Sequence, residues 1–193
     1  VDFEHLFIQE SLPNAQVSDT MFYTDQLRLT FNPWDSYQGK HHVKRVKVSP
    51  GKLSIRYDAR GKENFDIFKP SPSNTKTDFN LSLKEVKIDG LRFIYDNVSS
   101  KQYLSSTFED ARIKGDFSSD AFVAKAMGKM KLGRLKSGDI TLLRNKNTEF
   151  DFALDVNQLT GLYSLKNAEL SVEHLPFSVN GKVSPDSLQF TVQ

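Results

Sequence analysis

Chemistry in this chain would have to start from four histidines and one pair of neighbouring acids. The histidines are His5, His41, His42 and His174. His41 and His42 are adjacent, and neighbours in a strand point to opposite faces, so the two do not readily chelate one ion. Solvated strand residues are the better reading. In "YDARGKEN" a hairpin would bring Asp58 and Glu63 near each other, the arrangement of an acid/base pair, but an exposed turn charge explains them more simply. No nucleophile elbow, zinc-protease helix, phosphate-binding glycine loop, dinucleotide fingerprint or calcium loop is present. The chain has no cysteine, which removes disulfides, zinc–thiolate sites and thiol nucleophiles. The expectation is a chain that is not an enzyme, with no cofactor and no metal site.

Charge gives little direction. The formal net charge is +2, from 26 basic and 24 acidic residues, with none of the one-signed footprint that nucleic acid demands. Local basic runs occur in "GKHHVKRVK" and "KMKLGRLK". Such runs can sit against phospholipid headgroups, at about 1 kcal/mol per charge, or form an ordinary solvated strand face, which is the expectation here. They lack the interleaved aromatics of a single-strand nucleic-acid site. Asn80-Leu-Ser and Asn97-Val-Ser match the glycosylation sequon, a pattern short enough to arise by chance.

The elements that would position any site are strands. "GKLSIRYDARGKENFDIF" alternates Leu53, Ile55 and Tyr57 with polar residues, turns, and alternates again through Phe65 and Ile67. "DFNLSLKEVKIDG" and "LRFIYDN" continue the pattern, with a phase slip at Lys84-Glu85 that suggests a bulge. "TEFDFALDV" sets Phe150, Phe152, Leu154 and Val156 on one face; "LPFSVNGKV" and "SLQFTV" do likewise. Asp-Gly 89–90, Ser-Gly 137–138 and Asn-Gly 180–181 are the turn signals. "NPWDSYQGK" predicts a helix of one or two turns, with Asn32 as N-cap, Pro33 at the first position and Gly39 as the stop. Residues 120–132 fit either a helix or a strand, and the strand template accounts for more of them. "FKPSPSNTKT" is a breaker cluster. It leaves a single domain, or a fragment of a longer protein, with sub-segments 1–70 and 78–193 joined by a linker at 69–77. The first residue is Val, which fits a processed chain or a fragment. No apolar run is long enough for a transmembrane helix.

The predicted fold is therefore all-β, mainly an antiparallel meander with one or two short helices. Its sheet has one apolar face and too little helix to cover it, and leaving that face wet costs about 25 cal/mol per Å². Closure into a barrel, packing as a β-sandwich, or curling into an elongated apolar groove that holds a ligand would each solve the problem. The pattern does not choose among them.

Several stretches resemble the AsmA family of bacterial envelope proteins, which is related to the chorein-type bridge-like lipid-transfer proteins. "VKRVKVSPGKLSIRYDARGKENFDIF" is similar to that family's strand, "P-x-hydrophobic-x-hydrophobic", Gly turn and "NWDI/NFDI" segment. "FNLSLKEVKIDGLRFIYDN" resembles its next strand pair, and "EDARIKGDFSSDAF" its "L…GDF" strand. Upstream, "LRLTFNPWDSYQGKHHVKRVKV" fits its strand, short helix and strand. The likeness covers residues 20 to 120, and the remainder by general pattern. Arg60-Gly61 stands where the family has Asp-Gly, and the family's N-terminal membrane helix is not within these residues.

The resemblance implies a curled sheet whose groove holds phospholipid or other acyl lipid. It implies a periplasmic location, inner-membrane anchoring through a segment outside these residues, and a part in outer-membrane biogenesis, with envelope assembly proteins as partners and no nucleic acid. The lining would be Leu53, Ile55, Phe65, Ile67, Leu81, Leu83, Phe93, Tyr95, Phe150, Phe152 and Leu154. Each could equally be ordinary core. An acyl chain of about 16 carbons costs on the order of 13 kcal/mol to expose, so such a lining needs continuity and no catalytic group. The alternative is a non-enzymatic structural or interaction module with a closed core.

Overall fold

A computed structural model describes residues 1–12, 19–31, 43–65, 83–184 and 187–192. They form eleven strands in one sheet. The strands are β1 (Asp2–Gln9), β2 (Thr20–Phe31), β3 (Val43–Val48), β4 (Gly51–Tyr57), β5 (Glu85–Asn97) and β6 (Gln102–Lys114), followed by β7 (Ala121–Ser137), β8 (Ile140–Asn157), β9 (Leu162–Val172), β10 (Leu175–Ser184) and β11 (Ser187–Val192). The all-β prediction holds, and the ambiguous stretch at 120–132 is strand, inside β7. No helix occurs among the described residues; the helix predicted in "NPWDSYQGK" lies outside them.

From β5 to β11 each strand pairs antiparallel with the next, a simple meander. The N-terminal part is different. β3 and β4 share one position in the sheet, antiparallel to β2 and parallel to β5. Val48 faces Leu27 and Ile88, while Gly51 faces Thr24 and Leu91. Register is thus unbroken across Ser49-Pro50, and β3 and β4 are one strand bent where proline cannot donate. The parallel step from β4 to β5 requires a crossover, and the linker predicted at 69–77 falls there, outside the described residues. Both predicted sub-segments belong to the same sheet.

The predicted 51–68 hairpin is modified. Its first arm, β4, pairs with β2 and β5. The chain turns back after it, but the described part of the second arm, which ends at Phe65, forms no strand and returns antiparallel through the Tyr57–Glu63 bridge and the bonds of Asn64. Two turn signals are corrected as well. Asp-Gly 89–90 lies inside β5 and Asn-Gly 180–181 inside β10, at a register shift. A residue able to take positive φ serves a bulge as well as a turn, and Gly90 does so at 72°. Ser-Gly 137–138 is a true turn between β7 and β8.

Gly90 belongs to a crease that crosses five neighbouring strands. Going across the sheet, the aligned residues are Glu4-His5, Asp25-Gln26, Ser49-Pro50, Asp89-Gly90 and Glu109-Asp110. On either side of it, residues three apart share a face: Leu27 and Thr24, Ile88 and Leu91, Ala111 and Phe108. The proof is β7, which runs regularly past the crease. Its Gly128 and Met130, two apart and so on one face, are opposite Ala111 and Phe108. Without this phase step the apolar residues of β5 would split between the two faces.

β1 and β11 end the strand order and do not pair with each other, so the sheet is open rather than a barrel. Every substantial contact between elements is between hydrogen-bonded neighbours. The sandwich alternative is therefore corrected: the described residues form one layer, whose second face carries ion pairs instead of a packing surface. Most of the buried apolar residues are small or medium, such as Val43, Val48, Ala111, Ala124, Ala126 and Ala168, with Met21, Leu91 and Leu132 as the larger ones. No phenylalanine whose side chain is described is buried.

Asn64 and Thr24 are the best-buried polar residues, with no exposed surface; Asn64 is the larger. Its side-chain Oδ1 accepts from the Arg56 N–H at 2.8 Å, and its Nδ2 donates to the Ser54 carbonyl at 2.9 Å and to Glu10 at 3.3 Å. Its backbone N–H donates to Arg56 O, and its carbonyl accepts from Ser11 N–H, both at 2.9 Å. Asn64 thus occupies the place of a missing strand beside β4 and ties it to the residues after β1.

Candidate apolar binding face

Register decides which side chains share a face. Leu53 and Ile55 of β4 lie opposite Phe93 and Tyr95 of β5. Phe93 stacks towards Phe108 of β6 at 6.3 Å between ring centroids, Phe108 meets Phe150 of β8 edge-on at 6.0 Å, and Phe150 meets Phe152 at 5.7 Å. A row of rings thus crosses β5 to β8. Beside it, Tyr57 contacts Tyr95 at 6.1 Å and Phe65 at 5.8 Å. Such ring pairs hold about 0.5–1.5 kcal/mol each beyond their area.

Small residues on β7 let those rings lie down. Phe150, Phe152 and Leu154 face Gly128, Ala126 and Ala124. At Gly128 β6 comes so close that an added Cβ would be 2.4 Å from the Asp110 carbonyl oxygen. The alanines are buried beneath the larger side chains, whose outer surfaces stay partly open. At the β6–β9 end, Ile113, Phe117, Phe122, Ala126, Phe152 and Leu154 help line a depression of about 610 Å³.

Of the predicted lining, Leu53, Ile55, Phe65, Phe93, Tyr95, Phe150, Phe152 and Leu154 fall on this face, all half-buried. Leu83 is half-buried just before β5, with its carbonyl accepting the Phe117 N–H at 3.2 Å. Ile67 and Leu81 lie outside the described residues. Tyr57, Phe108, Phe117 and Phe122 were missing from the prediction. Phe108 was hidden by Glu109-Asp110, which interrupts the alternation of β6 at the crease. Burial, helped by Tyr95 and Glu63, pushes the Tyr57 phenol above its usual range.

Two hydroxyls on this face, those of Ser106 and Thr148, are buried with no hydrogen-bond partner among the described residues. Both border the Met130 region, Thr148 directly opposite it.

The other face is ionic. Glu85 lies between Arg45 at 3.1 Å and Arg112 at 3.3 Å, Lys47 reaches Asp89 at 3.7 Å, and Lys129–Glu149 and Lys166–Asp155 pair at 2.9 Å. A larger depression of about 840 Å³ lies there, bordered by Arg112, Lys129, Glu149, Asp151 and Glu169 around Met127. Arg112, Lys129 and Glu149 are ion-paired there, whereas no described element packs over the apolar face.

The residues first considered for chemistry are not gathered into a site. His5 and His174 are exposed with positive φ, 51° and 69°, at the crease and in the β9–β10 turn, while His41 and His42 lie outside the described residues. Asp58 Oδ1 accepts the backbone N–H groups of Arg60 and Lys62, both at 2.8 Å, and so closes its own turn. No cluster of three metal-ligating side chains occurs among the described residues, nor any helix long and apolar enough to cross a membrane. No protein-family model and no curated protein matches the chain.

Proposed function

We propose that this chain is a non-enzymatic lipid-holding module, whose apolar face shelters acyl chains of phospholipid in the manner of the AsmA-like envelope proteins its sequence resembles. The observation that carries the reading is the ring row on a face that no described element covers. Phe93, Phe108, Phe150 and Phe152 touch in sequence across four strands, and none of them is buried. A surface of that extent in water demands a covering, and an acyl chain laid along the row is a covering that needs no catalytic group. The crease supports the same reading, because it keeps most apolar residues of β1 to β6 on one side, with Phe7 and Ile94 on the other. The periplasmic setting, the anchor outside these residues and the role in outer-membrane biogenesis belong to this proposal through the resemblance alone.

The test is organic extraction of the purified chain followed by lipid mass spectrometry, with an unrelated protein treated in parallel. The expected result is stoichiometric phospholipid that is lost in Phe152→Asp and Ile55→Asp, with the strand signal in circular dichroism retained. A folded, lipid-free chain would favour the structural or interaction reading, in which another protein covers the face. Unfolding of both variants would make the two positions core.

A further inference from the structure

The β7–β8 hairpin extends past β9, and its turn lies beside the β5–β6 turn, where the Gly138 N–H donates to the Lys101 carbonyl at 2.9 Å. β9 pairs with β8 from Thr148 to Asn157, and Glu173 takes both backbone groups of Asn147, so residues 140–146 have β7 on one side and an open edge on the other. Between 129 and 146 the hairpin holds Lys129, Lys131, Arg134, Lys136, Arg144 and Lys146 against a single acid, Asp139. On the body of the sheet, bases such as Arg45, Arg112, Lys47 and Lys166 have acid partners. Within the hairpin only Lys129 has one among the described residues, Glu149. Arg134 stands directly opposite Arg144 across the strands, a like-charge placement that weakens a hairpin. At the tip two aliphatic side chains, Ile140 and Leu142, are 66% and 54% exposed.

We infer that this hairpin is a docking element for an anionic bilayer surface. The charge is complementary: five bases without an acid partner among the described residues, two of them opposed, match a plane of phosphate and carboxylate headgroups. The aliphatic tip selects a bilayer over nucleic acid, since Ile140 and Leu142 gain by entering the headgroup–acyl boundary while no exposed ring is offered for base stacking. The open edge of β8 fixes the depth. Its unpaired N–H and C=O groups must stay hydrated, so the tip rests among the headgroups and does not cross the hydrocarbon. The inference stands independently of the lipid-holding proposal, because it uses a different part of the molecule.

The experiment is co-sedimentation of the whole chain with vesicles of phosphatidylcholine alone, or with about a third of phosphatidylglycerol. The expected result is binding at least tenfold tighter to the anionic vesicles, weakened by salt. Arg134→Gln/Arg144→Gln should loosen it by about 25-fold, near fivefold per charge, and Ile140→Ser/Leu142→Ser should loosen it with the salt dependence unchanged. All four positions are on an exposed hairpin, so circular dichroism should match the parent. Phe152→Asp, which tests the lipid-holding face, should leave vesicle binding intact. Equal binding to both vesicle types, no effect of either double variant, or tighter binding to a single-stranded oligonucleotide at the same salt would overturn the inference.

Discussion

Thr24 and Thr148 are both buried in the sheet, at 0% and 3% exposure, and their hydroxyls are treated in opposite ways. Thr24, in β2, lies at 2.5 Å from the Ser49 carbonyl and 3.0 Å from that of Gln26, the two backbone groups at the crease. Thr148, in β8, has no partner among the described residues. The contrast extends to their regions. The N-terminal part must hold a bent strand between β2 and a parallel β5, and it does so with polar links from Thr24, Asn64 and Glu10 that fit one arrangement only. The C-terminal meander pairs each strand with its sequence neighbour, so local turns fix its register. Its inward side chains are then free to form an apolar surface. Specific polar bonding sits where topology is non-local, and the candidate binding surface is fullest where topology is simple.

Substitutions can break this comparison. The largest effect is expected from Gly128→Ala, because the new Cβ would press on backbone of β6, 2.7 Å from the Ala111 Cα. A loss of about 3 kcal/mol in urea unfolding is expected, with strand separation seen as faster hydrogen exchange in β6 and β7. Asn64→Ala should cost about 2–3 kcal/mol by orphaning the Arg56 N–H and the Ser54 carbonyl of β4 and leaving Glu10 with Arg56 as its donor, and its exchange signature should be confined to β1–β5. A spread of that signature to β8 and β9 would refute the division into two regions.

The sharpest form is one substitution made twice. Thr24→Val should destabilise by about 1–2 kcal/mol, whereas Thr148→Val should be neutral or stabilise by up to about 1 kcal/mol. Equal signs in thermal unfolding would remove the contrast. The smallest effect concerns Lys129 and Glu149 on the ionic face. The Lys129 ammonium holds the Glu149 carboxyl below the usual range, and Glu149 raises Lys129. The contribution of Glu149 is therefore present above the unfolded carboxylate pKa and lost as pH falls through its lower folded value. That of Lys129 is lost as pH rises through its raised value. Both groups are exposed, so Glu149→Gln should leave the melting temperature at neutral pH unchanged within error.

Alternation made the fold class legible. Phe150, Phe152, Leu154 and Val156 are on the face that their spacing predicted, and period two at 120–132 outweighed the helical alternative. What alternation cannot carry is topology. The strand beginning at Gly51 looks like one arm of a hairpin, yet its partners are β2 and β5, one of them upstream and the other more than thirty residues downstream in sequence. Asn64 alternates as a solvent-facing residue and is instead fully buried, because its amide replaces backbone. Asp-Gly 89–90 puts its torsional freedom into the crease, with Gly90 at a φ of 72°, while Asn-Gly 180–181 lies opposite a bulge of β9 whose positive φ belongs to Asn167, so neither reverses the chain. Most of the lining was readable for the same reason as the strands. Phe108 was not, since the crease shifts the phase of β6 without any glycine or proline to mark it.

The central claim is that acyl chains cover the ring row, and one fluorescence measurement addresses it directly. With the single tryptophan, Trp34, replaced by Phe, a tryptophan is placed either at Phe152 on the apolar face or at Met127 on the ionic one. Each variant is then exposed to phospholipid brominated on its acyl chain. The account predicts strong quenching of Phe152→Trp and little of Met127→Trp. Equal quenching at both positions, or none at Phe152→Trp, would contradict it.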